Sequence, residues 1–240
     1  NKKCREEEGL FVAEGRKLIQ EIVSTKKKIQ SVYCTDEWIV ENNDVFDKSI
    51  EVTCISAGEM KKISSLTTPQ GVLCVVCQDK SVLRENELME SLTIALDGIQ
   101  DPGNMGTILR LSDWFGIENI LCSKVCVDIY NPKVVQASMG ALCRVKTHYV
   151  DLPLMLTDLG KKGLPIYGTF LEGKDIYASE LTPKGVIVVG NEGNGISTEI
   201  EQLVSSKLFI PSFRDGGSVE SLNASIATAI VCSEFKRRSR

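Results

Sequence analysis

The second half of the sequence alternates between short apolar runs and helix-like segments. The runs LTIALDGI, NILCS, RVKTHYV, LPIYGTF, GVIVVG and KLFIP fall between residues 92 and 211. Several of them are continuously apolar, which is typical of strands that are buried on both faces. Their alternation with helical segments predicts an α/β fold with a parallel sheet that is covered on both faces.

The first half contains a shorter series of the same elements. Strands are predicted within GLFVAEG, IQSVYCT, EVTCIS and GVLCVVCQ, and SAGEMKKIS is a predicted helix with Ser56 at its N-cap and Glu59 three residues later. The polar segment DKSVLRENELMES lacks a clear period and is interpreted as a linker. We therefore predict a small α/β domain over residues 1–80, a linker over 81–92 and a larger domain over 93–240, all of usual size.

The charge of the chain does not by itself indicate a nucleic-acid partner. The formal net charge is −4, whereas nucleic-acid-binding domains are often basic. Basic residues do cluster locally, at 25–28 and 236–240. Lys26 to Lys28, Arg214 and the C-terminal cluster are therefore the candidates for RNA contacts if RNA is bound.

Cysteine usage and hydropathy predict a cytoplasmic protein. The nine cysteines follow no disulfide framework and several lie in apolar runs, which is typical of reduced thiols. Cys74 and Cys77 form a C-x-x-C within a predicted strand, where they point to opposite faces, and the chain has one histidine, so no metal site is predicted. No run approaches the roughly 20 apolar residues of a membrane span. The first residues lack both a Met and a signal-peptide pattern.

The first of three chemically suggestive loops is LDGIQDPGNMGTILRLSDWFG, residues 96–116. DPGN predicts a turn, and a helix is predicted from about 105 to 115, with Gly116 closing it. Asn104 and Arg110 would then lie near the C-terminal end of a strand, where open α/β sheets bind ligands. A capping asparagine and a surface arginine explain the same two residues equally well.

The second loop, VVGNEGNGIS at 188–197, does not match a phosphate-binding pattern. A dinucleotide-binding loop would need glycine at the position of Thr198, and a phosphate-binding P-loop would need lysine at the position of Ile196. Because Glu192 would repel phosphate, we expect a neutral or cationic ligand held through main-chain atoms. The alternative is a plain turn in which Ser197 caps the next helix.

The third loop opens the segment IPSFRDGGSVESLNASIATAIVCSEFKRRSR, residues 210–240. A predicted strand ends there, a glycine-containing loop follows, and a helix is predicted to start near Ser221. Residues 222–233 carry no charge, which indicates a helix buried on more than one side. The second covering surface is either a partner subunit or the rest of its own domain.

In this order the three loops resemble motifs one, two and three of the SpoU (TrmH-type) branch of the SPOUT RNA methyltransferases, from about residue 94 to the end. GLFVAEG and ISSLTTPQGVLCVV resemble the small substrate-binding domain that precedes the catalytic domain in many members, with the part before residue 9 cut short. The resemblance implies a deep trefoil knot in the C-terminal domain and a homodimer joined through it. It also implies S-adenosylmethionine as cofactor, without a metal, and methyl transfer to a ribose 2′-hydroxyl of RNA.

The matching positions imply two sets of site residues. The implied catalytic residues are Asn104, Arg110, Glu192, Ser221 and Asn223. The implied cofactor-binding residues are Thr169, Gly190, Asn191, Gly195, Ile210, Leu222 and Asn223. Family arginines are often assigned the removal of the hydroxyl proton. Since a guanidinium keeps its proton in proteins, we favour phosphate binding and stabilisation of the developing alkoxide for Arg110.

The identity of the RNA is left open by the sequence. The extra N-terminal domain favours ribosomal over transfer RNA, and a non-catalytic RNA-binding relative with the same fold remains an alternative. The glycine pattern disfavours a nucleotide-dependent enzyme of the doubly wound type. In one departure from the family, SFRDGGSVE lengthens the third motif by roughly three residues, which affects the expected shape of the cofactor pocket.

Overall fold

The first part of the chain forms a four-stranded mixed sheet. A computed structural model describes residues 2–42, 45–47, 50–214 and 221–239. The strands of the first sheet are β1 (Leu10–Glu14), β2 (Ile29–Cys34), β3 (Val52–Cys54) and β4 (Val72–Cys77), and its helices are α1 (Lys2–Glu8), α2 (Arg16–Ser24), α3 (Asp36–Glu41) and α4 (Ala57–Ile63). In the order β1-β4-β2-β3, β4 is antiparallel to both of its neighbours, while β2 and β3 are parallel.

The second part forms a seven-stranded sheet in which every paired strand is parallel to its neighbour. Its strands are β5 (Leu92–Asp97), β6 (Asn119–Ser123), β7 (Lys146–Val150), β8 (Ile166–Phe170), β9 (Lys174–Asp175), β10 (Gly185–Gly190) and β11 (Ser206–Phe209). The order is β7-β6-β5-β10-β8-β11-β9. The helices are α5 (Glu85–Met89), α6 (Pro102–Trp114), α7 (Pro132–Ser138), α8 (Leu152–Lys161), α9 (Thr198–Glu201) and α10 (Ala224–Arg238), with a 3-10 turn at Ala141–Cys143.

Both faces of the parallel sheet are covered, as the continuously apolar runs predict. Successive residues of β5 point to opposite faces, so Ile94 and Leu96 enter one apolar cluster and Ala95 enters the other. The same alternation places Ile187 and Val188 of β10 in different clusters, and all five residues are fully buried. The predicted α/β fold with a parallel sheet is confirmed.

Several element boundaries differ from the sequence-based expectation. Helix α6 begins at Pro102, because the Asp101 side chain caps it and proline suits the first helical position. Helix α10 begins only at Ala224, after the N-cap Asn223. The segment 81–92, predicted as a linker, contains α5, whose Leu88 is fully buried. Helix α1 and strand β9 were absent from the sequence prediction.

The two sheets are joined by a packed and hydrogen-bonded contact. Phe11 of β1 stacks on Tyr130, which follows β6, with ring centroids 5.0 Å apart. The Arg5 guanidinium of α1 donates to Asp128 at 2.7 Å, and both side chains are largely buried. The apolar cluster that contains Phe11 continues into β5 and β10. The N-terminal sheet is therefore docked on the parallel sheet through a common core.

A second contact anchors α2 to the larger half. Arg144 donates to Glu21 of α2 at 3.1 Å and to Asp113 of α6 at 2.8 Å. Gly140 lies so close that a Cβ there would be 2.7 Å from the Glu21 Cβ, and its φ of +88° also favours glycine. The C-terminal half of α2 is therefore held against the 140–144 segment.

The described residues contain no helix that is both long enough and apolar enough to span a bilayer. All nine cysteines are free thiols, and Cys74 is buried while Cys77 is half-buried.

The last helix is fixed by a buried carboxylate. Glu234 of α10 accepts two hydrogen bonds from Arg237, both 2.8 Å, and one from Arg238 at 2.6 Å. Arg238 also donates to the backbone carbonyls of Tyr177 and Ser179. These bonds tie the end of α10 to the segment that follows β9, and hydrogen bonds from Arg237 and then Arg238 lower the pKa of Glu234 to about 2.

Replacement of Glu234 by glutamine is expected to lower the free energy of unfolding at pH 7 by about 2 kcal/mol, because charge-assisted hydrogen bonds are lost. The pKa of Glu234 is lower in the folded protein, so its contribution is complete above the ordinary value near 4.5 and is lost as pH falls towards about 2. Urea unfolding between pH 7 and 2.5 measures this, with Glu180→Gln, an exposed carboxylate, as control. Parallel acid-limb curves for wild type and Glu234→Gln would contradict the assignment.

Candidate active site at the carboxyl edge of the parallel sheet

The implied cofactor-binding positions lie at the ends of neighbouring parallel strands. Gly190 ends β10, Thr169 is the next-to-last residue of β8, and Ile210 directly follows β11. The Thr169 hydroxyl donates to the Val188 carbonyl at 3.2 Å, across the β8–β10 pair. Because the carboxyl ends of parallel strands meet at one edge, these positions gather where open α/β sheets bind ligands.

The loop after β10 is closed by its own backbone. Asn191 and Gly195 exchange two backbone hydrogen bonds of 2.9 Å, and the Asn191 side-chain oxygen accepts from the N–H groups of Gly193 and Asn194 at 2.9 and 3.0 Å. A Cβ at position 190 would lie 2.2 Å from the Gly195 carbonyl carbon. Glycine at 190 is thus required for the loop to close on itself, whatever the loop binds.

The same loop is fastened to the turn after β5. The Asn191 amide donates to the Gly98 carbonyl at 2.7 Å, and the Ser197 N–H donates to the Asp97 carboxylate at 2.7 Å. Ser197 occupies the N-cap of α9 but makes no side-chain capping bond. The interpretation as a plain turn capped by Ser197 is therefore incomplete, because the loop is bound to a second loop.

Glu192 is surrounded by hydrogen-bond donors of the first motif. Its Oε1 accepts from the Asn104 side-chain amide at 3.0 Å and from the Asp101 N–H at 3.3 Å, and its Oε2 lies 3.5 Å from the Gln100 N–H. The Asn191 amide contributes a further contact of 3.3 Å. A carboxylate only accepts hydrogen bonds, so a glutamate suits this ring of donors better than a glutamine would.

Asn104 connects the second motif to the third. Its Oδ1 accepts from the Asn223 amide at 2.9 Å, while the Asn223 Oδ1 caps α10 through the N–H groups of Ser225 and Ile226, at 3.0 and 3.3 Å. The cap of α6 is Asp101, whose carboxylate accepts from the Asn104 N–H at 2.7 Å. The interpretation of Asn104 as a capping residue is thus wrong, and one chain of hydrogen bonds joins all three motifs.

Arg110 and Ser221 stand outside this chain of hydrogen bonds. Arg110 is exposed, six residues beyond Asn104 on α6, and it forms no hydrogen bond or ion pair with the described part of the protein. Ser221 and Leu222 are exposed next to Asn223, and Leu222 is 46% accessible. The lengthened part of the third motif is described only up to Arg214, and residues 215–220 lie outside the described ranges.

A cysteine that the sequence did not single out lies under the first motif. The Cys126 Sγ is 3.3 Å from the Leu96 carbonyl and 3.5 Å from the Ser123 hydroxyl, which itself accepts from the Gly98 N–H. A hydrogen bond from the Cys122 thiol is the main cause that lowers the pKa of Cys126 to about 7, against the effect of burial. Asp97 and Asp101 were likewise missed, although an Asp before Pro102 is a recognisable capping signal.

The geometry defines a class of protein: a doubly covered parallel α/β protein whose ligand loops are clipped together at the carboxyl edge of its sheet. No group of three or more His, Cys, Asp or Glu within the described ranges is placed to hold a metal ion. The chain belongs to the SpoU rRNA methylase family. The model of that family matches residues 91–233, and the model of the MRM3-like substrate binding domain matches residues 1–74.

Individual relatives agree with the family. The 23S rRNA (guanosine(2553)-2′-O)-methyltransferase RlmP of Bacillus subtilis is 26% identical over 96% of this chain and 90% of its own length. A TrmH-family protein structure from Porphyromonas gingivalis superimposes with a TM-score of 0.87 at 38% identity, covering 99% of this chain and 94% of that one. An AdoMet-bound rRNA methyltransferase from Sinorhizobium meliloti gives a TM-score of 0.83 at 26% identity, with 99% and 91% coverage.

Proposed function

We propose that this protein is an S-adenosylmethionine-dependent methyltransferase that modifies a ribose 2′-hydroxyl of ribosomal RNA. The observation that carries the proposal is the chain of hydrogen bonds from Glu192 through Asn104 to Asn223, which brings three family motifs to one sheet edge. The relatives named for ribosomal RNA, and the coverage of the N-terminal half by a substrate-binding family, favour ribosomal over transfer RNA.

The residues at the edge suit the cofactor chemically. None of the implied cofactor-binding positions carries a basic side chain, and S-adenosylmethionine has no phosphate but a positively charged sulfonium. Gly195 faces open space, Leu222 offers an exposed apolar surface, and Ile210 is half-buried beside them in the sequence order of the motifs. The cofactor supplies a methyl group on sulfur, which the ribose oxygen attacks in line.

The chain's own residues then divide into two groups. Glu192, Asn104 and Asn223 are proposed as positioning residues, because each is already engaged with another motif and holds the loops in place. Arg110 and Ser221 are exposed and have no partner in the described part of the protein, so they are available to the substrate. We assign to Arg110 the phosphate next to the reacting ribose and the stabilisation of its developing alkoxide.

The remaining implications of the family are proposals of the same kind. A homodimer through the C-terminal half is supported by exposed apolar side chains on α6 and α10, with Trp114 84% and Ile226 51% accessible. Light scattering of the purified protein would measure its mass. A trefoil knot in that half is supported by membership of the family, and a cytoplasmic location by the nine free thiols.

Calorimetric titration with S-adenosylmethionine is expected to give saturable binding by the wild type, and incubation with a labelled methyl donor is expected to label ribosomal RNA. Leu222→Arg should abolish binding, because it adds bulk and positive charge where the sulfonium lies. Leu154→Arg is the matched control, since Leu154 is equally apolar and 62% accessible on α8. Position 190 is unsuitable for such a test, because any side chain there would disrupt the loop itself.

Nuclease digestion and mass spectrometry of the labelled RNA decide between the alternatives. A 2′-O-methylated nucleotide in ribosomal RNA is the expected product. Label confined to transfer RNA would favour the alternative substrate, and cofactor binding without transfer to either RNA would favour a non-catalytic relative. Loss of binding in both leucine variants would show that the effect is not specific to the site.

A further inference from the structure

A buried carboxylate organises the end of the N-terminal half that lies away from the parallel sheet. Glu14, at the end of β1, is only 5% exposed. Its Oε1 accepts from the Ser65 N–H at 2.8 Å and from the Ser65 hydroxyl at 2.5 Å, and its Oε2 accepts from the Ser64 hydroxyl. Three donors thus satisfy the buried charge and fix the loop after α4 to the start of α2.

The other end of that loop is fixed to the neighbouring residue. Gly15 has a φ of +92°, and a Cβ there would lie 2.5 Å from the Gln70 side-chain oxygen. The Gly15 N–H donates to the Val72 carbonyl at 3.2 Å, next to Gln70 along the chain. Residues 64–70 therefore lie across the beginning of α2, attached at both ends.

This arrangement brings two pairs of cations to the same end of the domain. Arg16 and Lys17 open α2, directly after Glu14 and Gly15, and Lys61 and Lys62 lie in the last turn of α4, just before Ser64. All four are exposed, and none forms an ion pair with a residue in the described ranges. We call these four residues the distal basic patch.

The cationic clusters that the sequence suggested are less available. Lys27 pairs with Asp79, and Arg237 and Arg238 both pair with Glu234. The nearest acid along α4 to the distal basic patch is Glu59, whose carboxylate is bound to the Ser56 N–H and hydroxyl. In a chain of net charge −4, four unpaired cations within two short segments are a local exception.

We propose that the distal basic patch is a second RNA contact, which binds the phosphate backbone of the same RNA at a distance from the reacting ribose; this inference rests on the proposed function. Exposed Thr67, Thr68 and Gln70 add neutral hydrogen-bond donors between the two pairs of cations. Among residues 61–70 and 15–17 there is no aromatic side chain for base stacking, so the contact reads backbone and not sequence.

The docking of α2 gives this contact a fixed position. The C-terminal half of the helix is held by Arg144 and Gly140 through Glu21, so its N-terminal end, with the patch, points away from that anchor. Because Arg144 also holds Asp113, the anchor includes α6, the helix that carries Arg110. An RNA must therefore present its phosphates and its target ribose at a set separation.

The test compares two quadruple variants of equal charge. In the patch variant Arg16, Lys17, Lys61 and Lys62 are changed to glutamine; in the control variant the exposed and unpaired Lys80, Lys133, Lys161 and Lys174 are changed to glutamine. Binding of end-labelled 23S ribosomal RNA is measured between 50 and 300 mM salt, together with S-adenosylmethionine binding as a check of the fold. We expect at least tenfold weaker RNA binding by the patch variant alone, with a salt slope smaller by about 3.

In methyl transfer the patch variant should raise KM for RNA and leave kcat unchanged, because the reacting groups are untouched. Glu14→Gln, which keeps all four cations but loosens the loop, should weaken RNA binding to a smaller extent. Equal RNA binding by wild type and patch variant, or equal losses in patch and control variants, would overturn the proposal. Since binding is measured without turnover, a wild type that binds RNA but transfers no methyl group would contradict the proposed function and leave the patch assignment standing.

Discussion

Replacement of Arg110 by alanine is expected to lower kcat for methyl transfer by at least about 100-fold, the loss usually seen when one donor to a developing oxyanion is removed. Arg110 is exposed and makes no bond with the described part of the protein, so the fold and the dissociation constant for S-adenosylmethionine should not change. Single-turnover methyl transfer and calorimetry measure the two quantities. Arg84→Ala is the control, because Arg84 is also exposed and its only ion pair is a 3.7 Å contact with Glu87.

The Arg110→Lys variant separates the two roles that an arginine could have. If Arg110 only stabilises negative charge, lysine keeps the charge and loses the planar fork, so kcat should fall about tenfold without a change in the pH profile. If Arg110 removes the proton, lysine would be the better base, since it loses its own proton at lower pH than arginine, and activity should rise steeply towards pH 9.5. Such a rise would contradict the role proposed above.

Replacement of Glu192 by glutamine is expected to lower kcat/KM by roughly 100-fold, although glutamine is nearly the same size. The amide nitrogen would face the donors of Asn104, Asp101 and Gln100, and one unmet charge-assisted contact costs about 1.5 to 3 kcal/mol. Hydrogen exchange of residues 98–104 should become faster, because the clip between the two loops is weakened. Glu199→Gln, an exposed glutamate of α9, is the matched control.

Coupling between motifs is tested by a double-mutant cycle of Glu192→Gln with Asn223→Ala. Asn104 bonds both residues, so each single change should damage the same unit and the two losses should not add. Additive losses would show that Glu192 and Asn223 act independently. Retention of wild-type activity in either single variant would remove that residue from the set of positioning residues.

The strands of the larger half were predictable because they are long continuous apolar runs with turn residues between them. The predicted strands at GVIVVG and NILCS coincide with β10 and β6. Short elements were missed where a single buried residue decides the outcome, as with Leu88 of α5 inside a polar segment. Local composition does not report that one leucine enters a core built from distant strands.

The site was predictable in its membership and not in its connections. Motif spacing identified Asn104, Glu192 and Asn223, but their mutual hydrogen bonds join residues about 90 to 120 positions apart in the chain, and no local pattern encodes such contacts. The same limit explains why the basic clusters at residues 27 and 237 looked available. Their acidic partners, Asp79 and Glu234, are brought close only by the fold.

The stacking of Phe11 on Tyr130 and the buried pair of Arg5 with Asp128 also bear on how this chain can be divided by evolution or by engineering. A domain that hangs on a tether can be exchanged for another without loss to its neighbour. Here the N-terminal sheet completes an apolar core to which the strands beneath the active site also belong, so removing it would leave Tyr130 uncovered and Asp128 without its cation. New substrate specificity in this architecture is therefore acquired by changing surface residues on a retained N-terminal sheet, and not by replacing the sheet.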